Sequence, residues 1–144
     1  MNEQSFCITI KNNIVEMQQV LLLITSFCEE LNIPKLEMNR ILVVADEILS
    51  NIIQYSFDQG EHTITISGRK FSNSLELEFV DDGIYFDTPR YLQHFDNSAP
   101  LHSDPIIGGL GLKIVNEFMD TIHYFRKENT NFLKLMIAFN SKPS

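Results

Sequence analysis

The sequence predicts an α+β fold, a two-layer sandwich in which helices cover one face of a mixed, mostly antiparallel sheet. The first indication is that apolar residues recur at helical spacing across residues 13–57. The second is that apolar and polar residues alternate in short runs before and after that region, as in half-buried strands. The resulting order of elements, β-α-α-β-β-α-β-β, is typical of helices packed on one face of an antiparallel sheet.

The N-terminal part of the chain predicts one strand and two helices. The strand runs from Ser5 to Ile10, where polar and apolar residues alternate. The first helix covers Asn13 to Leu31, with Asn12 or Asn13 as its N-cap and Pro34 just beyond its end. The second helix is predicted from about Lys35 to Phe57.

The C-terminal part predicts four strands interrupted by an irregular region and a short helix. Two strands, at residues 63–67 and 75–79, flank a turn at residues 72–74. Residues 82–107 show no regular period, and a stretch of that length is typically a lid or a binding loop. A short helix through Met119 and two strands, 122–127 and 132–139, follow, with the last turn predicted at Asn129-Thr130.

Length and composition restrict the class of protein. The 144 residues fit a single domain over residues 1–144, and the net charge of -8 argues against binding to a nucleic-acid backbone. No apolar run is long enough for a membrane span, and the N-terminus lacks the pattern of a secretion signal, so we expect a cytoplasmic protein. The aromatic side chains near the C-terminus are interpreted as sheet core, not as a base-stacking platform: Tyr124, Phe125 and Phe132, with Leu133 beside them.

Glu47 and Asn51 form the first candidate constellation. They are four residues apart on the second predicted helix, so their side chains are neighbours on its surface. The apolar stripe of this helix is centred near Ile48, which places both on one flank, while Asp46 and Ser50 point to solvent. A carboxylate and a carboxamide in that position can meet a ligand bound beside the core. The alternative is a solvated helix flank.

The second candidate is the run Asp81-Asp82-Gly83 at the end of a predicted strand. A carboxylate in that position can accept a hydrogen bond from an exocyclic amino group, and a glycine lets the backbone approach a flat ring closely. The alternative is an ordinary Asp-Gly turn, which is a common loop feature.

The third candidate is a glycine-rich run at the start of the short helix, Gly108-Gly109-Leu110-Gly111-Leu112. Unpaired N–H groups and the helix dipole favour an anion at a helix N-terminus. The spacing is neither that of a Walker loop nor that of a dinucleotide-binding fingerprint. The alternative is a flexible junction between a loop and a helix.

Together and in this order, the three candidates resemble the N, G1 and G2 boxes of the GHKL (Bergerat-fold) ATPases. Among these the chain is most similar to the anti-sigma-factor serine kinases, to judge from the local sequence at residues 44–53 and 116–120. The similarity covers nearly the whole chain. It implies the Bergerat ATP-binding fold with a long ATP lid, and ATP and Mg²⁺ as cofactors.

The resemblance also implies a role for each matching residue. Glu47 would be the general base, and Asn51 would give its side-chain oxygen to Mg²⁺. Asp81 would accept a hydrogen bond from the adenine amino group, Gly83 would permit close approach, and Asn131 would assist Asp81 through a water molecule.

The remaining implied roles concern the phosphates and the lid. Residues 108–112 would line the triphosphate, with Gly109 and Gly111 offering backbone N–H groups. The lid would cover about residues 84–107. Two departures from the family pattern lie near it: Tyr85 stands where a second glycine of the G1 box is common, and only Arg90 and Lys113 supply positive charge to the phosphates.

The resemblance implies a cytoplasmic, ATP- and Mg²⁺-dependent protein serine kinase that regulates a sigma factor. Its substrate would be a serine on a STAS-type anti-anti-sigma partner, and the chain would form a homodimer. The alternative is a module that binds ATP and sequesters its partner with little phosphoryl transfer, and a relative of histidine kinases, gyrases or mismatch-repair ATPases is the third hypothesis. Two His-x-Asp pairs, at residues 94–96 and 102–104, leave a structural metal as a further alternative.

Overall fold

In the computed structural model, residues 4–56, 60–83, 115 and 117–139 are described, except for the side chains of residues 55 and 56. Within these ranges the elements follow the predicted order. The strands are β1 (Gln4–Lys11), β2 (Thr63–Lys70), β3 (Ser74–Asp81), β4 (Thr121–Lys127) and β5 (Thr130–Ala138). The helices are α1 (Ile14–Glu30) and α2 (Lys35–Asn51), and residues 115, 117 and 118 are helical as well.

The five strands form one sheet in the order β1-β2-β3-β5-β4. Every neighbouring pair in this sheet is antiparallel. Alternate residues of the central strands are buried on the face that carries the helices, because side chains along a strand point to opposite faces. The buried hydrophobic residues of the sheet are Ile10, Ile64, Ile66, Leu75, Leu77, Phe79, Leu133, Leu135 and Ile137.

Helices α1 and α2 supply the other half of the core. Their buried positions recur at helical spacing, which confirms the predicted apolar stripes. The start of α1 is fixed by Asn13, whose side chain accepts a hydrogen bond of 2.9 Å from the N–H of Glu16. Glu16 in turn accepts a bond of 2.7 Å from the N–H of Lys11. The two-layer α+β prediction is therefore confirmed.

Helix α2 ends earlier than the sequence pattern indicates. The helical period continues to Phe57, but the α-helix stops at Asn51 and a π-helical turn follows over Ile52–Ser56. At the boundary the N–H of Ile52 is shared between the carbonyl groups of Ile48 and Leu49, so the regular hydrogen-bond ladder is already disturbed there.

The hairpin between β4 and β5 also differs from the prediction. The two turn residues are Glu128 and Asn129, both with positive φ, and Thr130 already belongs to β5. A two-residue hairpin loop with positive φ at both positions matches the twist of the strands that it joins. As a result Phe125 is not core: it lies on the open face of the sheet, 51% exposed and stacked on Phe132.

Among the described residues, none of the helices combines the length and the apolar character needed to cross a membrane.

Candidate functional site

Asp81 is the last residue of β3, and only 5% of it is exposed. Its side chain points to the helix-bearing face because it lies two residues after Phe79, which is core. One carboxylate oxygen, Oδ1, accepts two hydrogen bonds, from the N–H of Gly83 at 2.8 Å and from Nδ2 of Asn131 at 3.0 Å. Within the described residues, Oδ2 accepts none.

Asn131 contacts Asp81 directly, because the two residues are paired across β3 and β5. The sequence analysis expected this contact to run through a water molecule, whereas Nδ2 of Asn131 donates to Asp81 directly. Residues opposite each other in adjacent strands are close enough for short polar side chains to bond without a bridge. Asn131 is 2% exposed, and its Nδ2 also lies 3.4 Å from the carbonyl oxygen of Gly83.

Two residues of β4 complete this polar cluster. Nη1 of Arg126 donates to the carbonyl oxygen of Gly83 at 2.9 Å and to Oδ1 of Asn131 at 2.8 Å. The hydroxyl of Tyr124 donates to the same Asn131 oxygen at 2.5 Å. Arg126 is the cross-strand partner of Asn131, so Arg126, Asn131 and Asp81 form one row across three strands.

Burial is the largest influence on the Asp81 carboxyl, and it raises the pKa of Asp81 above its ordinary value. The hydrogen bonds from Asn131 and Gly83 and the charge of Arg126 act in the opposite direction, while the charge of Asp82 adds to the rise. The charged form of the Asp81 carboxylate is therefore only partly solvated.

The second group of predicted residues lies at the end of α2. Asn51 is 3% exposed, and its Nδ2 donates to Oε2 of Glu47 at 2.9 Å. Asn51 thus turns its amide nitrogen to the carboxylate and leaves Oδ1 without a hydrogen-bond donor among the described residues. Glu47 is half-buried, whereas Asp46 is exposed, in agreement with the flank predicted for the pair.

The topology brings the two groups to the same end of the molecule. The hydroxyl of Ser50 lies 4.0 Å from the sulfur of Met17, so the last turn of α2 lies beside the first turn of α1. Helix α1 begins just after β1 ends at Lys11, whose partner in the sheet is Thr63. The next residue of β2, Ile64, is paired with Asp81.

Several predicted positions lie outside the described residues. They are the glycine-rich run Gly108, Gly109, Leu110, Gly111 and Leu112, the lid over about residues 84–107 with Tyr85 and Arg90, Lys113, and both His-x-Asp pairs. The described end of the short helix lies against α2, because the guanidinium carbon of Arg40 is 5.3 Å from the centre of the Phe118 ring.

The two buried side chains have complementary chemistry. An amide oxygen such as Oδ1 of Asn51 is a hard ligand of the kind that Mg²⁺ takes, usually beside waters and substrate phosphates. A buried carboxylate oxygen such as Oδ2 of Asp81 suits a donor such as an amino group, because a buried acceptor left unpaired is costly. Within the described ranges there is no cluster of three or more His, Cys, Asp or Glu side chains that could hold a metal by itself.

Arg126 and Tyr124 are site residues that the sequence analysis missed. The sequence analysis interpreted Tyr124 as sheet core and gave no role to Arg126. A turn predicted at Glu128 and Asn129 would have found Arg126, because that turn pairs Arg126 with Asn131 across the hairpin.

Curated proteins similar to this chain are bacterial protein kinases. The serine/threonine-protein kinase BtrW of Bordetella bronchiseptica is 29% identical over 97 residues, which is 63% of this chain and 63% of that protein. The serine-protein kinase RsbW of Bacillus thuringiensis is 30% identical over 94 residues, 63% of this chain and 58% of that protein. The RsbW of Halalkalibacterium halodurans is 27% identical over 106 residues, 72% of this chain and 63% of that protein. The chain thus matches about three fifths of the length of these relatives.

The fold and the family are established by two further similarities. The catalytic domain of the histidine kinase ThkA, in a nucleotide-free form, superposes with a TM-score of 0.56 at 17% identity, over 96% of this chain and 97% of that one. At that identity the likeness shows the fold alone. The family model of the histidine kinase-like ATPase domain matches residues 10–137, nearly the whole chain. This protein belongs to the histidine kinase-like ATPase domain family, the GHKL group that its motifs resemble.

Proposed function

We propose that this chain is an ATP- and Mg²⁺-dependent protein serine kinase that regulates a partner protein by phosphorylating it. The observation that carries the proposal is a pair of buried polar side chains at one end of the fold, Asp81 and Asn51. Each has one polar atom held by a hydrogen bond and an oxygen that accepts none within the described residues.

Asp81 is the proposed acceptor for the adenine amino group. Its Oδ1 is occupied by Gly83 and Asn131, so only Oδ2 remains for a ligand. An amino group at that position donates to Oδ2 and satisfies a buried acceptor. A 6-oxo purine would place its own acceptor oxygen against Oδ2, and the two oxygens would repel. A site with buried polar groups rejects a ligand that cannot pair with them.

Asn51 is the proposed protein ligand of Mg²⁺, through Oδ1. The bond from its Nδ2 to Glu47 fixes which end of the amide is available. When bound, Mg²⁺ would offset the negative charge of the triphosphate and orient it for transfer.

Glu47 is the proposed general base. It accepts the proton of the substrate serine hydroxyl while the serine oxygen forms a bond to the γ-phosphorus. The bond from that phosphorus to the β–γ bridging oxygen breaks, and ADP leaves with the electron pair. The half-buried position of Glu47 and its contact with Asn51 support this role, because they hold the carboxylate beside the proposed metal ligand.

The partner proposed here is a sigma factor, a STAS-type anti-anti-sigma protein, or both, with phosphorylation on a serine of the STAS protein. The similar proteins BtrW and RsbW are a serine/threonine and a serine kinase, which supports the proposed chemistry. We also propose a cytoplasmic homodimer. These statements extend beyond the part of the relatives that the chain matches.

Incubation of the purified chain with γ-labelled ATP, Mg²⁺ and candidate STAS proteins tests the proposal. We expect label on a serine of the partner, dependent on Mg²⁺ and absent with Glu47→Gln, and an unchanged reaction with the exposed neighbour variant Asp46→Asn. Nucleotide binding without any transfer would favour the alternative, a module that sequesters its partner. Absence of ATP binding in a thermal-shift assay would reject both.

A further inference from the structure

We propose that Arg126 is a positioning residue for purine recognition, which orients the Asn131 amide so that Asp81 meets a ligand as a carboxylate. The arrangement selects a 6-amino purine over a 6-oxo purine. The inference rests on the proposed function, since it assumes that Asp81 faces the base.

The orientation of the Asn131 amide follows from the chemistry of its neighbours. Arg126 has only N–H donors, so the atom of Asn131 at 2.8 Å from its Nη1 must be the amide oxygen. The Tyr124 hydroxyl donates to the same oxygen. The amide nitrogen is thereby turned the other way, to Oδ1 of Asp81 and the carbonyl of Gly83.

This orientation dictates what Asp81 can do. Oδ1 accepts hydrogen bonds from the Asn131 amide and from the N–H of Gly83, and both bonds favour an Oδ1 that carries no proton. With Oδ1 satisfied, Oδ2 is left to accept from a ligand. The guanidinium of Arg126 also binds the Gly83 carbonyl at 2.9 Å, which holds the strand end whose N–H supports Asp81.

Without Arg126 the amide can turn by half a rotation. Its oxygen would then face Oδ1 of Asp81 and favour a proton on that oxygen, which donates to the amide oxygen. Burial already favours that form, and the charge of Arg126 together with the bonds from Asn131 and Gly83 opposes it, with Asp82 the nearby like charge. Oδ2 would then meet the ligand as the carbonyl oxygen of a neutral acid, so it would bind a 6-amino group less strongly and repel a 6-oxo oxygen less.

The experiment measures the affinities of ATP and inosine triphosphate for the full chain and its variants. Arg126→Met removes the donors and the charge but keeps much of the length of the side chain. The matched control is Lys127→Met, because Lys127 is the next residue, is exposed and points to the opposite face of the sheet. We expect the preference for ATP over inosine triphosphate to fall by at least about tenfold in Arg126→Met and to stay unchanged in Lys127→Met.

Thermal melting without nucleotide checks that the variants fold. If Arg126→Met does not fold, Arg126→Leu decides by the same ratio, because it also removes every donor and the charge. An unchanged ratio in a folded variant, or an equal loss for both nucleotides, would overturn the inference. In that case a wild-type chain that still prefers ATP leaves the proposed function standing, whereas a wild-type chain that binds neither nucleotide overturns both.

Discussion

Asn51 donates its amide N–H to the carboxylate of Glu47 across one turn of α2, with 2.9 Å between the two atoms. The bond links the proposed metal ligand to the proposed base, so neither side chain can be changed without an effect on the other. A variant that removes the Glu47 side chain therefore tests two functions at once, and a variant that keeps an acceptor at the same place tests one.

Glu47→Gln and Glu47→Ala separate these effects. Both remove the base, so we expect phosphoryl transfer to fall by about 10²–10⁴ in each. Glu47→Gln keeps an oxygen for Asn51, so the Mg²⁺ dependence of ATP binding should be retained, whereas Glu47→Ala should weaken it. The measurements are single-turnover transfer and ATP titrations with and without Mg²⁺. Full activity of Glu47→Gln would contradict the assignment of the base.

Asn51→Ala removes the amide oxygen proposed for Mg²⁺. We expect ATP affinity in the presence of Mg²⁺ to fall to the value that the wild type shows without it, because the cation loses its protein ligand. Isothermal titration with and without Mg²⁺ measures the change. Asn39→Ala is the control, since Asn39 is exposed on the same helix. A normal magnesium response in a folded Asn51→Ala protein would count against this role.

Asp81→Asn should stabilise the nucleotide-free protein at neutral pH and impair recognition of adenine. Burial raises the pKa of Asp81, so the folded chain binds this proton more tightly than the unfolded chain. The protonated carboxyl therefore favours the folded chain below the ordinary carboxyl pKa. This stabilisation is lost as the pH rises through the raised pKa of Asp81 in the folded chain. At pH 7 the neutral amide avoids the cost of the buried charge.

We expect the free energy of unfolding of Asp81→Asn at pH 7 to exceed that of the wild type by roughly 0.5–2 kcal/mol. Substitutions that remove a destabilising feature of a functional site commonly give gains of this size. The gain should shrink at acidic pH, and ATP affinity should fall more than the affinity for inosine triphosphate. Urea unfolding at two pH values gives the first quantity, and nucleotide titrations give the second. Asp46→Asn is the exposed control; an equal gain there would show that the effect is not due to burial.

Gly68→Ala tests the packing of the sheet edge on α1. A Cβ at Gly68 would lie 2.4 Å from Cε2 of Phe6, its partner in β1, and the Phe6 ring packs edge-on against Phe27 with 4.9 Å between ring centres. The ring must move, so we expect a loss of about 1–3 kcal/mol in urea unfolding. Phe6→Leu in the same chain should recover part of the loss. Strictly additive effects in this double-mutant cycle would show that the two residues do not interact.

The sequence-based prediction was most successful where one face of an element is buried along its whole length. The apolar periods of 3.6 and 2 residues predicted both helices, all five strands and the two-layer arrangement, because burial of one face imposes the period directly. The family resemblance, which the motifs carried, is confirmed by the matching family model. The roles of the motif residues stay predictions.

The errors arose where the period carries no information. The helical pattern through residue 57 does not distinguish an α-helix from a π-helical turn, because a segment of five residues is too short for its apolar spacing to separate the two periods. At the β4–β5 hairpin the turn was predicted one residue late. In a hairpin such a shift changes which residues face each other, and it hid the pairing of Arg126 with Asn131.

The amino-acid sequence alone therefore determined the fold class, the family and the candidates Asp81, Asn131 and Asn51, but it did not point to Arg126 or Tyr124. Only the tertiary structure decided which atom of each polar side chain is held and which accepts no bond. That choice depends on contacts between strands and across one helical turn, such as those of Asn131 with Arg126 and of Asn51 with Glu47. Hydrogen bonds act over about 3 Å, so chain register and side-chain orientation must be known before they can be assigned.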